Sequence, residues 1–278
     1  MAVALITGCS SGFGLLAALH GARQGHTVVA TMRDASCAGE LEAARDDEGL
    51  DLRIVALDVT SDASVAAAVD GVVSDLGRID VLVNNAGLGI RGAVEEVDVA
   101  QAEAVFATNV FGVLRVTKAV LPVMRDAGSG VIVNVSSIAG RVSPPFGGIY
   151  GASKYALEAV SEALHYEVHP FGIRVAVVEP GSFPTRFDDN RQVADADGSP
   201  YDELRARWDA AYGNVPGREG GPADPQVVAE AIWEVATDPE APLRRLVGTD
   251  AELLGALRAD LDDDAFEQTV RTALDFWD

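Results

Sequence analysis

Short runs of β-branched and aliphatic residues alternate with longer segments of helical period along most of this chain. That alternation is the sequence sign of βαβ units and a mostly parallel sheet. Seven runs read as strands, at 2–6, 27–31, 53–57, 81–84, 131–135, 173–178 and 243–247. Their near-continuous Val, Ile and Leu content suits strands covered by helices on both faces, and right-handed crossovers then set the winding. The expectation is one doubly wound α/β domain spanning 1–278, with a seven-stranded parallel sheet and long helices at about 99–125 and 150–168. The interval from about 182 to 221 breaks the rhythm. It is long, charged, rich in Gly and Pro and irregular in period, which suits a substrate loop. Beyond 247 an acidic, weakly amphipathic extension, about 249–278, ends in Phe276 and Trp277.

Composition narrows the class. With 278 residues, 48% of them apolar, the chain can bury a large core. No uninterrupted apolar run approaches the roughly eighteen residues of a membrane span, and Met1 is followed by AVALITG without a charged leader. A cytoplasmic protein with no membrane partner is expected. Cys9 and Cys37 are too few and too far apart for a disulfide framework or a thiolate metal site, so no metal is expected. A formal charge of -22 repels polyphosphate and anionic lipid, making nucleic acid a poor partner. Lys118 and Lys154 are the only lysines.

The first strand runs into Thr7-Gly8-Cys9-Ser10-Ser11-Gly12-Phe13-Gly14 and then a helix. Gly8 permits a sharp turn, Gly12 lets backbone approach a pyrophosphate, and Gly14 allows close helix packing, while the helix N-terminus supplies donors and partial positive charge. An ordinary strand-to-helix turn needs one glycine rather than three. Further on, Tyr150 and Lys154 stand four apart on one helix face, close enough for the ammonium to favour tyrosinate. An unperturbed phenol titrates near ~10, so such a pair is a sensible acid-base device once shifted toward neutrality. Ser136 and Ser137 end a strand at the sheet edge where ligands bind, and either hydroxyl could hold a substrate oxygen.

These segments together resemble the short-chain dehydrogenase/reductase family. Its TGxxxGxG loop matches Thr7 to Gly14, its NNAG appears as Asn84-Asn85-Ala86-Gly87, its helical Asn as Asn109, its YxxxK as Tyr150 to Lys154, and its PGxxxT as Pro180 to Thr185. Ser137 lies thirteen residues before the tyrosine, the family's spacing, so the resemblance favours it over Ser136. It covers about residues 1 to 190 and implies a Rossmann fold. It also implies a hydride transfer between a nicotinamide and a small-molecule secondary alcohol, ketone or aldehyde. Asn109, Ser137, Tyr150 and Lys154 would be catalytic, with Asn109 anchoring a water that connects Lys154 to solvent. Gly8, Ser10, Ser11, Gly12, Phe13, Gly14, Met32, Arg33, Asp58, Val59, Asn85, Ala86, Gly87, Pro180, Gly181 and Thr185, with Tyr150 and Lys154, would hold the cofactor. Family members commonly pair through the two long helices, which implies a homodimer or homotetramer.

Cofactor choice depends on the end of the second strand, Ala30-Thr31-Met32-Arg33-Asp34. A carboxylate there would accept bonds from the adenosine ribose. Met32 stands where NAD-preferring relatives place an acid, and Arg33 offers a guanidinium suited to a phosphate. NADP(H) is therefore expected, with NAD(H) the alternative if Asp34 takes the ribose position. Asp58 resembles the family's adenine-contacting Asp; it could equally cap the following turn. Val142, Phe146, Phe187, Tyr201, Trp208 and Tyr212 could line an apolar pocket or pack inside a lid. The TGCSSGFG and ATMRD segments look most like members acting on steroids, retinoids and other lipophilic carbonyls. A catalytically silent member would be expected to have lost Tyr150, Lys154 or the glycines, and all are retained.

Overall fold

The computed structural model describes residues 1–187, 191–194, 198–212 and 223–274. Alternating strands and helices run β1 (Val3–Thr7), α1 (Gly12–Arg23), β2 (Thr27–Met32), α2 (Gly39–Glu48), β3 (Leu52–Ala56), α3 (Asp62–Leu76) and β4 (Val81–Asn84). Then follow β5 (Ile90–Arg91), α4 (Val99–Phe106), α5 (Val113–Ala127), β6 (Gly130–Val135), α6 (Gly148–Val168) and β7 (Ile173–Pro180). The chain continues through β8 (Gln192–Val193), α7 (Asp202–Tyr212), α8 (Gln226–Thr237), β9 (Arg244–Val247), α9 (Thr249–Asp260) and α10 (Asp263–Leu274).

Seven strands form one parallel sheet in the order β3-β2-β1-β4-β6-β7-β9. All seven expected strands are present, each within two residues of its predicted bounds. The chain winds outward from β1 in both directions, so the crossovers leaving β1 and β4 part company and open a crevice at their carboxyl ends. Side-chain alternation divides the strands between two cores. Ala4 and Ile6 face one, with Val28, Val83, Val133 and Val178 under α1 and α8. Val3 and Leu5 face the other, with Leu82, Ile132, Val116, Val120 and Met124 under α3 and α5. Both faces being covered explains why the strands read as unbroken apolar runs.

Three segments depart from expectation. The helix from Val99 to Ala127 is continuous through a π turn, Ala107–Gly112, and is long and apolar enough by composition to cross a membrane. Scanning for uninterrupted apolar runs misses it because polar residues are spread through it; 44% of its most apolar window is buried inside the fold. The 182–221 interval is not all loop, since it contributes α7 and pairs β8 with β5 in a two-residue ladder; residues 188–190, 195–197 and 213–222 lie outside those described. The extension is two helices rather than a weakly patterned tail. Phe266, Val270, Ala273 and Leu274 recur at helical spacing on α10 and turn to one cavity, the period having been diluted by intervening charge. Phe276 and Trp277 lie outside the described residues.

Candidate active site

β1 ends in Thr7, whose hydroxyl accepts from the backbone N–H groups of Asn85 and Ala86, both at 3.0 Å, and donates to the Val83 carbonyl at 3.3 Å. In return Asn85 Nδ2 donates to the carbonyls of Thr7 (2.9 Å) and Gly8 (3.1 Å). The loops after β1 and β4 are thus stitched together at the switch point. Gly8 has φ +74°, and a Cβ there would lie 2.7 Å from Ala86 Cα. At Gly14 a Cβ would stand 2.3 Å from Asn85 Nδ2 and 2.4 Å from the Gly8 carbonyl oxygen. Ser11, the N-cap of α1, does not cap it with its side chain. A cradle of backbone under a helix N-terminus fits a phosphate.

A cavity of about 1280 Å³ opens over this loop. Gly8, Ser10, Ser11, Gly12, Phe13, Met32, Arg33, Asp58, Val59, Asn85, Ala86, Gly87, Ser137, Tyr150, Lys154, Pro180, Gly181 and Thr185 all line it. Gly14 and Asn109 do not; both act from behind the wall. At the far end Met32 is buried and Arg33 is exposed. Asp34 is not among the lining residues. Its carboxylate accepts from Ser36 N (2.9 Å) and Oγ (2.7 Å), and these bonds hold it below the usual carboxylate range. Asp58 does cap its turn, accepting from Thr60 N (2.9 Å) and Oγ1 (2.7 Å). Partial burial opposes its ionisation, but the Thr60 bonds and the charges of Arg33 and Arg115 outweigh it and lower the pKa.

The reactive end is built by α6, the end of β6 and the π turn. Lys154 is 5% exposed and its Nζ donates to the Val135 carbonyl at 2.9 Å. Burial pulls its pKa down to about 8, with the Glu158 charge opposing. Nζ stands 5.7 Å from the centre of the Tyr150 ring, which tilts against Phe187 at 5.7 Å. Of the two candidate serines, Ser136 is buried and Ser137 partly exposed. Ser137 Oγ accepts from Ala139 N at 3.1 Å and lies 3.5 Å from the Pro180 carbonyl. Asn109 Oδ1 accepts from Leu88 N (2.8 Å), while Nδ2 donates to the Leu88 carbonyl (2.9 Å) and Ser153 Oγ (3.0 Å). Ser153 in turn donates to the Tyr150 carbonyl at 2.7 Å. Both Nδ2 hydrogens of Asn109 are therefore used within the protein.

Several contributors carry no local signal in the sequence. Asp250, at the start of α9, accepts from Ser182 N at 2.9 Å, and a Cβ on Gly181 would lie 1.9 Å from its Oδ1. This contact holds the Pro180-Gly181 turn from 68 residues away. Over the reactive end, Val142, Phe146, Phe187, Trp208 and Tyr212 line the cavity, joined by Leu253, Leu254 and Leu257 of α9 and the apolar face of α10. Tyr201 does not line it. It packs with Phe146 and Trp208 in a small separate cluster, its hydroxyl donating to Glu95 at 2.7 Å.

A doubly wound sheet with a glycine-rich turn at its switch point, facing a Tyr/Lys pair across one cavity, defines a dinucleotide-dependent oxidoreductase class. The family model described as short chain dehydrogenase matches residues 2–195, and the chain belongs to the short-chain dehydrogenase/reductase family. It is 40% identical to a 3-ketodihydrosphingosine reductase of Bacteroides thetaiotaomicron over 91% of this chain and 90% of that one. Retinol dehydrogenase 8 of Bos taurus is 41% identical, with 92% and 84% covered. A short-chain dehydrogenase of Streptomyces avermitilis superposes with a TM-score of 0.81 at 36% identity, covering 98% of this chain and 97% of that one. Other solved structures with this fold hold NAD or NADP.

Proposed function

We propose that this chain is an NADP(H)-dependent oxidoreductase interconverting a lipophilic alcohol with its ketone or aldehyde, with Tyr150 as the acid-base group. The observation that carries the reading is the convergence of Tyr150, Lys154 and Ser137 with the glycine-rich turn on one cavity. When bound, the nicotinamide supplies or accepts the hydride. Ser10 to Phe13 and the N-terminus of α1 would hold its pyrophosphate, while Val59, Asn85 to Gly87, Pro180, Gly181 and Thr185 would flank the rest. Tyr150 exchanges a proton with the substrate oxygen, which the Ser137 hydroxyl orients. Lys154 favours the ionised phenol and holds the nicotinamide ribose. Asn109 keeps the Leu88 and Tyr150 backbones in place through Leu88 and Ser153.

Preference for the 2′-phosphorylated cofactor is supported by Arg33 on the cavity wall, a carboxylate-free Met32, and an Asp34 engaged with Ser36. A lipophilic substrate is supported by the aliphatic and aromatic wall drawn from α7, α9 and α10, and by relatives named for a ketosphingoid base and for retinol. Phe187, Trp208 and Tyr212, from the described part of the 182–221 segment, would cover the substrate as a lid. Tyr150→Phe preserves the shape of the ring and removes the proton donor. It is expected to lower kcat by roughly 10²-fold or more on a ketone reduced by the parent, with NADPH binding nearly intact. A variant that keeps most of its kcat removes Tyr150 from this role.

A further inference from the structure

One helical turn beyond Lys154 lies Glu158, 6% exposed, and near it Glu179 of β7, fully buried and immediately before Pro180. Arg141 Nε donates to Glu179 Oε1 at 2.7 Å. Arg244 Nε donates to Glu158 Oε2 at 3.0 Å and stands 4.0 Å from Glu179 Oε1, while its NH2 pairs with Glu162. This leaves Glu158 Oε1 and Glu179 Oε2 buried with no donor. Arg244 Nε, 3.0 Å from Glu158 Oε2 and 4.0 Å from Glu179 Oε1, sets the two carboxyls side by side.

Two neighbouring buried carboxylates, each with an oxygen that nothing satisfies, form a costly arrangement. A single proton between them replaces like-charge repulsion with an O–H···O bond and satisfies both oxygens. The arginines do not remove the need, because each is over a quarter exposed and shares its charge with solvent. Burial pushes the Glu179 carboxyl up to about 7, Glu158 adding to the rise and Arg141 opposing it.

We propose that Glu158 and Glu179 share one proton at neutral pH and act as positioning residues for Lys154 and the loops around it. The one negative charge they keep favours the Lys154 ammonium. Arg141 ties the segment between Ser137 and Tyr150 to the end of β7, and Arg244 ties β9 to α6. The charged groups facing the pair are Lys154 and Glu162 from α6, Arg141 from the turn after β6, and Arg244 from β9. Tyr155 donates to the Arg141 carbonyl and feels Arg258 of α9 and Asp263 of α10. β6 presents the Val135 carbonyl to Lys154 and the neutral, unpartnered Ser136 hydroxyl. The consequence for turnover rests on the role proposed for Lys154; the shared proton does not, and it is read without turnover.

The chain has two lysines, and Lys118 is exposed on α5. Carbon-13 labelling of lysine Cε therefore gives one signal for the buried lysine and one internal control. In the cofactor-free protein, Glu158→Gln moves the pair's one charge to Glu179, away from the carboxyl whose charge acts on Lys154, and is expected to lower the Lys154 titration midpoint by about one pH unit and leave Lys118 unmoved. Infrared spectroscopy of the unmodified protein in heavy water near about pH 7, where exposed carboxyls are ionised, should retain a carboxylic-acid band. That band should vanish in Glu179→Gln. If Glu158→Gln does not fold, the band in the unmodified protein decides. An unmoved Lys154 midpoint in folded Glu158→Gln, or no carboxylic-acid band in the unmodified protein, overturns the proposal.

Discussion

Arg33 and Asp34 are adjacent and opposite in charge, yet the fold uses them differently. Arg33 lies on the cavity wall, near enough to Asp58 to help lower its pKa, whereas Asp34 spends its carboxylate on the Ser36 turn. Charge-assisted bonds from a guanidinium to a phosphate contribute about 1.5–3 kcal/mol, roughly a ten- to hundredfold effect on affinity. Arg33→Ala should therefore cut the preference for NADPH over NADH by about that factor, and Met32→Asp should reverse it by setting a carboxylate beside the 2′-phosphate. Fluorescence titration with both cofactors measures the ratio. If Arg33→Ala leaves it unchanged, the preference does not come from this strand end.

Between elements, the contact of α1 with α8 shows how little slack the scaffold has. Trp233 of α8 is 2% exposed, donates its indole N–H to the Ala17 carbonyl at 2.8 Å, and stacks on His26 at 4.4 Å. It lies against Gly21 of α1, where a Cβ would fall 1.9 Å from Trp233 Cζ2. An extra methyl at such a site forces the ring off its position, costing about 1–3 kcal/mol or more. Gly21→Ala should lower Tm by several degrees, and Trp233→Leu in the same chain should recover part of the loss because the two changes share one space. Since α1 also carries the glycine-rich turn, cofactor affinity should fall with the same variant. A melting curve matching the parent's would mean that the helices separate more easily than their packing indicates.

At the scale of the whole molecule, net charge and apolar exposure oppose each other. Val99, Phe111 and Tyr166, on the two long helices expected to pair, are 74%, 51% and 69% exposed. A standard interface there would bury about 800 Å² on each partner. Each chain carries a formal charge of -22, so association must overcome repulsion that salt screens over about 10 Å at 0.1 M. A homodimer or homotetramer at micromolar concentration is expected, and raising the salt from about 0.02 M to 0.5 M should tighten it. Sedimentation velocity at the two ionic strengths tests both statements. A species that is monomeric in both, or that falls apart in high salt, would show that these faces do not associate through apolar contact.

Features written into short stretches of chain were legible beforehand. Strands buried on both faces are apolar runs, the phosphate turn needs glycines at fixed offsets, and Tyr150 and Lys154 share a helix face because they are four residues apart. Each follows from backbone geometry that repeats within a few residues, so the seven strands, the glycine-rich turn and the Tyr/Lys pair could be read without coordinates. Pairings across the sheet could not. Asn109 on Leu88 and Ser153, Asp250 on Ser182, and Glu158 beside Glu179 join residues about twenty to seventy positions apart. Their partners are set by strand order and helix packing, which no local period encodes. The same holds for α10, whose apolar stripe gains a purpose only when the fold turns it toward the cavity that the first half of the chain begins.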